Sequence, residues 1–442
     1  MFEQKTTYDC FDSARIDAWA SIHRSDIAIE TVTDWRSVAT EWQALERHSN
    51  DPFSGYRWCS AWYAAHESER HCSPLVVIGR SRAGALLFVL PLFLVRRFGF
   101  RILTQPCRGH APYYTGIFTP ECRRAVSADG SDDFWSRVIS ALPDVDLISI
   151  DGIPDIDDER DNPLFRLPLV RSDNPSFRMS PGADWNRFYE ARTASKDRSN
   201  DRRRPKRLAE TGTVTCGPVP PDAGRKQAGD AIFALKNAQF RSAGVVDPFR
   251  SERIRRFYAA LLRKPPYPTG DPVHLTALAL DGRMIAGNLG IRHQTAYYGL
   301  VMAMADDEMR RFAPGRHLLI QTCADLCADG VRDVDFGAGD SPYKQDWCDI
   351  TVERYRAVVT RGVKGRLLAA LFRTFETLKT SLKGTALCRF ATSLIAVPVN
   401  RPQPAARARC GNSEAIPCAD ASQTPASVIS PVTSRAGVTS KA

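Results

Sequence analysis

Nothing in these 442 residues stays apolar long enough to cross a bilayer, since no run approaches the roughly 18–20 residues that a spanning helix needs. The longest apolar stretch, residues 83–95, contains Pro91 and stops at Arg96-Arg97, so it reads as a buried strand. The opening Met1-Phe2-Glu3-Gln4-Lys5 lacks the basic-then-apolar order of a secretion signal, which makes the cytoplasm the expected location. Cysteine pairs at metal-ligand spacing are missing too. The twelve cysteines are scattered without a Cys-x-x-Cys. Cys323 and Cys327 stand four apart in an expected helix, with no matching Cys or His pair elsewhere. Buried free thiols in a reducing compartment fit this better than a zinc site or a disulfide framework, and no metal is expected.

What is present is globular composition, 43% hydrophobic and 25% charged, in a chain long enough for two to three domains. The formal charge of +10 points to an anionic partner: a nucleotide, a phosphate-bearing donor, a membrane surface or nucleic acid. Charge alone does not choose among them.

Residues 1–26 show no sustained periodicity and read as a loose leader. From Ile27 the pattern is helix-like, with Trp35, Val38, Trp42 and Leu45 at helical spacing through 35–47. A second aromatic helix follows at 58–66. Strands are expected at 74–78, 85–95 and 102–104, a helix at 134–142, and a strand at 145–150. The second half repeats this grammar. A basic helical region covers 185–208, and amphipathic helices cover 231–243 and 251–263. Strands follow at 274–280, 284–292 and 295–302, with Asp281-Gly282 as the first turn. A helix at 316–328 and a strand at 331–336 close the pattern. The shared order favours two similar α/β domains, residues 27–172 and 173–362, with Arg171-Ser-Asp-Asn-Pro175 as linker. Residues 363–398 form an amphipathic helical segment with Leu367, Leu368, Leu371, Phe372, Phe375, Leu378 and Leu382 along one stripe. Residues 399–442 have disordered-tail composition.

Two segments could carry chemistry. In Arg310-Arg-Phe-Ala-Pro-Gly-Arg-His317, a strand leads into a Pro-Gly turn and a helix starts at once. The first N–H groups of that helix converge on one spot, with Arg311 and Arg316 beside it, as binding a pyrophosphate requires. A well-capped helix with solvated arginines is the other reading. The second segment follows the last strand: Gly337-Ala-Gly-Asp340-Ser-Pro-Tyr343-Lys344-Gln-Asp-Trp347. Its two glycines let the chain turn where a strand ends, the usual place for a site in an open α/β sheet. A carboxylate can take a proton, a phenol can give one, and an ammonium can neutralise a phosphate or oxyanion. An Asp capping a turn beside a packed Tyr and Trp would look the same.

Asp281-Gly-Arg-Met-Ile-Ala-Gly287, Pro314-Gly-Arg-His-Leu-Leu319 and Asp335-Phe-Gly-Ala-Gly-Asp-Ser-Pro-Tyr-Lys-Gln-Asp-Trp347, in this order, resemble the bacterial cellulose-biosynthesis acetyltransferase-like family of double GNAT proteins, relatives of the Fem peptidoglycan aminoacyltransferases. The resemblance covers roughly residues 34–362 and is sharp from 274 to 347. It implies two GNAT-like domains, each a mixed, mostly antiparallel sheet flanked by helices, with the first domain degenerate. It also implies acetyl-CoA or another acyl-CoA as donor substrate along the splayed strands of the second domain. Arg311, Phe312, Ala313, Pro314, Gly315 and Arg316 would hold the donor. Asp340 would take the acceptor's proton, Tyr343 would protonate the leaving thiolate or position the donor, and Lys344 would meet a phosphate or the oxyanion. Gln239, Arg202, Arg203 and Trp347 would contact substrate. The usual phosphate loop reads Arg/Gln-x-x-Gly-x-Gly/Ala, whereas here Arg311-Phe-Ala-Pro-Gly-Arg316 has one glycine shifted by one residue. That leaves CoA, acyl carrier protein and aminoacyl-tRNA open as donors.

The implied reaction is N- or O-acyl transfer to a small-molecule or glycan-precursor acceptor, on a polysaccharide or cell-envelope precursor. The rival readings are an aminoacyl-tRNA-dependent Fem-like transferase, an RNA-binding module, and a silent partner docked on a membrane-bound synthase through its C-terminal helix. Docking of that helix on the protein itself is the expectation, with anionic lipid as the alternative. The basic run Lys196-Asp-Arg-Ser-Asn-Asp-Arg-Arg-Arg-Pro-Lys-Arg207 is either a solvated face or a lip for an anion, and Pro205 should end or kink any helix there. Asp197 and Asp201 dilute its charge and no aromatic is interleaved for stacking, so no DNA is expected.

Overall fold

The computed structural model describes residues 26–127, 133–156, 160–221, 224–263, 272–339 and 342–381, without the side chains of 342, 343, 345, 373 and 375–381. Residues 1–25, the rest of the expected C-terminal helical segment, and the 399–442 tail lie outside the described residues.

The strands of the first half are β1 (Ala28–Val32), β2 (Cys72–Arg80), β3 (Leu86–Arg97), β4 (Phe100–Thr104), β5 (Ile117–Phe118), β6 (Leu147–Pro154) and β7 (Leu169–Arg171). Those of the second are β8 (Ser176–Met179), β9 (Val214–Pro218), β10 (Val273–Leu280), β11 (Arg283–His293), β12 (Ala296–Met304), β13 (Asp333–Ala338), β14 (Ile350–Val352) and β15 (Arg354–Thr360). They form two mixed, mostly antiparallel sheets. The first has the order β1-β2-β3-β4-β6-β15-β7, with β5 also on β3; the second has the order β14-β8-β13-β12-β11-β10-β9. In each, four antiparallel strands meet the remaining three at one short parallel junction. In the first sheet that junction is Ile102↔Leu147 and Leu103↔Ile148. In the second it is Ala296↔Asp333, Tyr297↔Val334 and Tyr298↔Asp335.

Local chemistry explains much of this. The β10–β11 turn needs two left-handed residues, and Asp281 (φ 49°) and Gly282 (φ 77°) supply them. Pro91 is tolerated inside β3 because the ladder has a gap there. β5 pairs with Phe88 and Val89, β4 pairs from Phe93 onward, and the side chain of Tyr114 donates to the Pro91 carbonyl at 3.0 Å.

The helices are α1 (Ala39–Leu45), α2 (Tyr56–His66), α3 (Pro120–Ser127), α4 (Asp133–Ala141), α5 (Trp185–Arg192), α6 (Ser195–Ala209), α7 (Gly224–Ser242), α8 (Glu252–Leu262), α9 (Pro314–Ala328), α10 (Pro342–Trp347) and α11 (Gly362–Ser381). One apolar cluster runs through both halves, from Trp42, Trp58 and Phe93 to Phe257, Leu289 and Val301. At its centre Trp58 and Trp62 of α2 meet Phe257 of α8 edge-on, with ring centroids 4.9 and 5.3 Å apart. Contacts of this kind add about 0.5–1.5 kcal/mol to the burial itself.

The structure departs from the sequence reading in four places. Residues 28–32 are an edge strand on β2 rather than helix, and only Ile29 and Val32 are even partly covered, so their period-two signal is faint. The expected helix at 35–47 is a 3-10 turn, then α1, then a second 3-10 turn. The basic region is two helices broken at Thr193-Ala194, and α6 runs through Pro205 to Ala209. Buried Leu208 anchors that last turn among Leu278, Ile285 and Phe312, which offsets the one backbone donor that proline removes. Finally, β7 and β8 flank the expected linker as strands of different sheets, and β15 joins the first sheet between β6 and β7.

Candidate functional site

Past Tyr298 and Asp335 the parallel strands β12 and β13 separate. At the same place β12 carries an extra residue: its pairing with β11 passes from Val301↔Leu289 to Gly299↔Gly290, which leaves Leu300 as a bulge. The parting strands make a cleft whose walls are Gly299–Met304 on one side and Phe336–Ala338 on the other. Gly337 (φ 67°) and Gly339 (φ 100°) then turn the chain away into α10.

The far end of the cleft is the start of α9. Ala313 holds a left-handed backbone (φ 50°) and no side chain caps the helix, so its first-turn N–H groups are presented without a protein side-chain partner. Gly315 lets the helix start approach the strand closely: a Cβ would lie 3.0 Å from the sulfur of Met304, at the end of β12. Arg311 is exposed beside this turn, while Phe312, Pro314 and Gly315 are buried. Arg316 is already paired. Its Nε donates to both oxygens of Asp201 on α6 at 2.7 and 2.9 Å, and its guanidinium lies 5.1 Å from the centre of the Trp347 ring. The Tyr189 hydroxyl also donates to Asp201, at 2.7 Å. The basic helix α6 is thereby tied to the start of α9, with Arg202 and Arg203 exposed on it.

The expected catalytic segment divides. Asp340 lies outside the described residues, as does the side chain of Tyr343. Lys344 is buried. In place of the expected phosphate or oxyanion, its ammonium donates to the Gly337 and Ala338 carbonyls at 3.1 and 2.9 Å. Trp347 is 2% exposed and packs on Trp185 and Tyr189, which is core rather than a substrate contact. Gln239 lies on α7, which packs against β11 and β12, and its side-chain carbonyl oxygen is buried without a hydrogen-bond partner.

Sequence spacing did not reveal the role of Asp335. It is fully buried and accepts hydrogen bonds from the Tyr113 hydroxyl and the Gly337 N–H, both at 2.6 Å. Burial pushes its carboxyl above the usual carboxylate range. The Tyr113 phenol is pushed well up, first by burial and then by the neighbouring Asp335 charge. These two face a small cavity of about 30 Å³ that Asn50, Asp51, Arg178, Tyr298 and Asp333 also line. Tyr298 donates to the Asn50 carbonyl at 3.0 Å, so the first half of the chain closes over the foot of the cleft. Among the described residues no group of His, Cys, Asp and Glu is placed to hold a metal ion, and no helix is long and apolar enough to cross a membrane.

Residues 195–345, which enclose this cleft, match the acetyltransferase (GNAT) domain family. No curated protein matches the sequence. Among solved structures, FemX aligns at 12% identity over 77% of this chain and 99% of its own, with a TM-score of 0.52. A conserved protein of unknown function from Bacteroides thetaiotaomicron VPI-5482 aligns at 12% identity over 75% and 100% of the two chains, with a TM-score of 0.45. A tandem GNAT protein from the clavulanic acid biosynthesis pathway aligns at 11% identity over 76% and 99%, with a TM-score of 0.41. At these identities the likeness to FemX is one of fold, and it spans both sheets.

Proposed function

We propose that the chain is an acyltransferase whose thioester donor lies between β12 and β13, with its anionic end at the start of α9. One observation carries this reading: the strands part after Tyr298↔Asp335, and an uncapped helix start stands at the far end of the same strand. Tyr298 and Met304 are six residues apart, on the order of 20 Å of strand, which suits an extended donor arm that joins a thioester to a phosphate group. Aligned backbone N–H groups and the helix dipole would hold that phosphate. Acyl-CoA is the donor that fits best. In this reading Lys344 positions the turn after β13, while proton transfer stays with Asp340 and Tyr343.

The test is donor binding followed by turnover. Acetyl-CoA should stabilise the protein against heat, and a CoA-soaked crystal should place the pyrophosphate at Pro314-Gly315. Tyr343→Phe should lower turnover more than donor affinity, because it removes only a proton donor. Failure of every acyl-CoA to bind would overturn the reading.

A second donor class has its own support. The exposed Arg202, Arg203, Lys206 and Arg207 lie on the helix tied to the start of α9, so a phosphate-rich donor such as aminoacyl-tRNA would meet positive charge there. Salt-dependent RNA binding that competes with CoA would favour it. The acceptor, a polysaccharide or cell-envelope precursor, rests on the resemblance of the 335–347 signature. Peripheral contact with a membrane or synthase is proposed for α11. Leu368 and Ala369 of that helix dock on Leu147, while Val363, Leu367 and Leu371 stay exposed.

A further inference from the structure

Large apolar side chains left in water are few among the described residues, and they gather at one end of the first sheet. Seven are exposed, and four of them, Phe98, Val363, Leu367 and Leu371, lie on two elements joined there. Asp146, just before β6, makes the join. Its N–H donates to the Arg101 carbonyl at 2.9 Å, and its carboxylate accepts from the Arg101 N–H at 2.7 Å. This fixes the start of β4 and the β3–β4 hairpin that Phe98 tips. The Asp146 carbonyl accepts from the Arg361 N–H at 2.9 Å, and Gly365 of α11 lies so close over it that a Cβ would collide with the oxygen. Phe100 of the hairpin and Phe372 of α11 both pack against the cluster of Leu147, Leu368 and Ala369. Hairpin tip and helix are therefore held side by side.

Charge supplies the second argument. One face of α11 docks on the sheet, and Val363, Leu367 and Leu371, each four residues from the next, form a stripe on the other face. At about 3.6 residues per turn, Lys364 and Arg366 fall on opposite sides of that stripe. Both are exposed. Phe98 stands between Arg96-Arg97 and Arg101, with the Arg97 guanidinium 5.0 Å from the centre of its ring. The two acids at this end, Asp144 and Asp146, are both engaged by Arg101 and do not neutralise the cations around the stripe and the tip. A protein partner would offer a preformed groove to one such element. A helix back and a convex hairpin tip, each apolar at the crest and basic at the flank, suit a flat surface that yields around them. Their cations can reach lipid phosphates while the stems stay in the apolar layer.

We propose that this end of the first sheet lies on an anionic lipid bilayer. Phe98 and the stripe of Val363, Leu367 and Leu371 enter the boundary between headgroups and acyl chains, and Arg96, Lys364 and Arg366 meet lipid phosphates. The inference rests on the peripheral contact already proposed for α11, takes lipid rather than a synthase as the partner, and adds the hairpin as a second anchor. It does not depend on the donor site, which lies in the other sheet.

Flotation of the full chain with lipid vesicles tests this directly. The protein should float with phosphatidylcholine vesicles that contain about one third phosphatidylglycerol, should stay behind with phosphatidylcholine alone, and should be released by salt. Lys364→Gln together with Arg366→Gln should weaken the affinity about twentyfold, since each cation near an anionic surface contributes roughly a factor of five. Phe98→Ser should weaken it about tenfold with the fold retained by circular dichroism, because its ring is already in water. Val246→Ser, equally exposed in the second half, should leave it unchanged. Absence of flotation, equal binding to both kinds of vesicle, or parent affinity in Phe98→Ser overturns the proposal. Sedimentation with native membranes but not with vesicles also overturns it, in favour of a protein partner. If acetyl-CoA still stabilises the same preparation, such a failure leaves the acyltransferase reading intact. Flotation without any response to acetyl-CoA keeps the lipid surface and removes the donor.

Discussion

The two parallel junctions are built alike and finished differently. In the first sheet β4 and β6 part after Leu103↔Ile148, and the side chain of Gln105 fills the opening. Its amide nitrogen donates to the Asp151 carbonyl at 2.8 Å, and its amide oxygen accepts from the Asp151 N–H at 3.0 Å. The first helix after β4, α3, is capped by the Thr119 hydroxyl on the Cys122 N–H at 3.2 Å. In the second sheet two lysines serve the two strands separately, Lys236 on the Met302 carbonyl and Lys344 on those of Gly337 and Ala338. The helix behind that junction has no side-chain cap. A shared topology thus gives one junction stitched shut by its own side chains and one that leaves room and backbone dipoles for a ligand. The difference lies in single residues at matching offsets rather than in the architecture.

Copying the plug across should have the largest effect. Gln105 stands two residues past the last paired residue of β4, and Leu300 stands two past that of β12. Leu300→Gln should close the second junction and cut acyl transfer by about a hundredfold or more, with the fold retained by circular dichroism. Acid should act next, on both halves together. The imidazoles of His66 and His110 in the first half and His274 in the second are held down to about 4 by burial, whereas the unfolded chain takes up protons near 6.5. The unfolded state therefore binds more protons between those values, and stability that is complete above 6.5 is lost as pH falls, about 2 kcal/mol per imidazole by pH 5. Urea titrations at pH 7 and pH 5 should show this loss in a single transition. Two separated transitions would break the shared core. Removing the plug instead, with Gln105→Ala, leaves the Asp151 N–H and carbonyl unpaired and should cost about 2–3 kcal/mol of stability while turnover stays near the parent value. The smallest effect is expected from Ala313→Asp. It puts a carboxylate at the bare helix start and should raise the KM for an acyl-CoA about tenfold with little change in kcat.

The strands that carry the second junction were readable because their signals are local. Alternation in β10 to β12, the Asp281-Gly282 turn and the Pro-Gly start of α9 each lie within a dozen residues. The same holds for the glycines that end β13. What could not be read depends on distant partners. β1, β8 and β15 take their meaning from strands far along the chain, and Ser176–Met179 carries no strand signal of its own until β13 and β14 flank it. In the segment rich in Asp, Tyr, Lys and Trp, the sequence did not show that Lys344 and Trp347 turn into the core. A single turn of α10 carries Lys344 and Trp347 inward, and spacing within a short helix does not say which face the core will claim. Asp335 was quoted as part of the signature without a role, because Tyr113 is 222 residues away. A buried acid reveals itself only when its neighbours are in place.

The placement of β15 bears on how the molecule comes into being. Residues 354–360 complete a sheet whose other strands lie before residue 172, with Val359 and Thr360 facing Ile148 and Leu147, and Tyr355 facing Arg171. A ribosome delivers β6 and β7 about 200 residues before the strand that must lie between them. While the second half is being made the nascent chain therefore carries two unsatisfied strand edges, and the first half reaches its final form only after the second has been translated. Severing the gene between the halves would leave the upstream product permanently lacking its own inner strand.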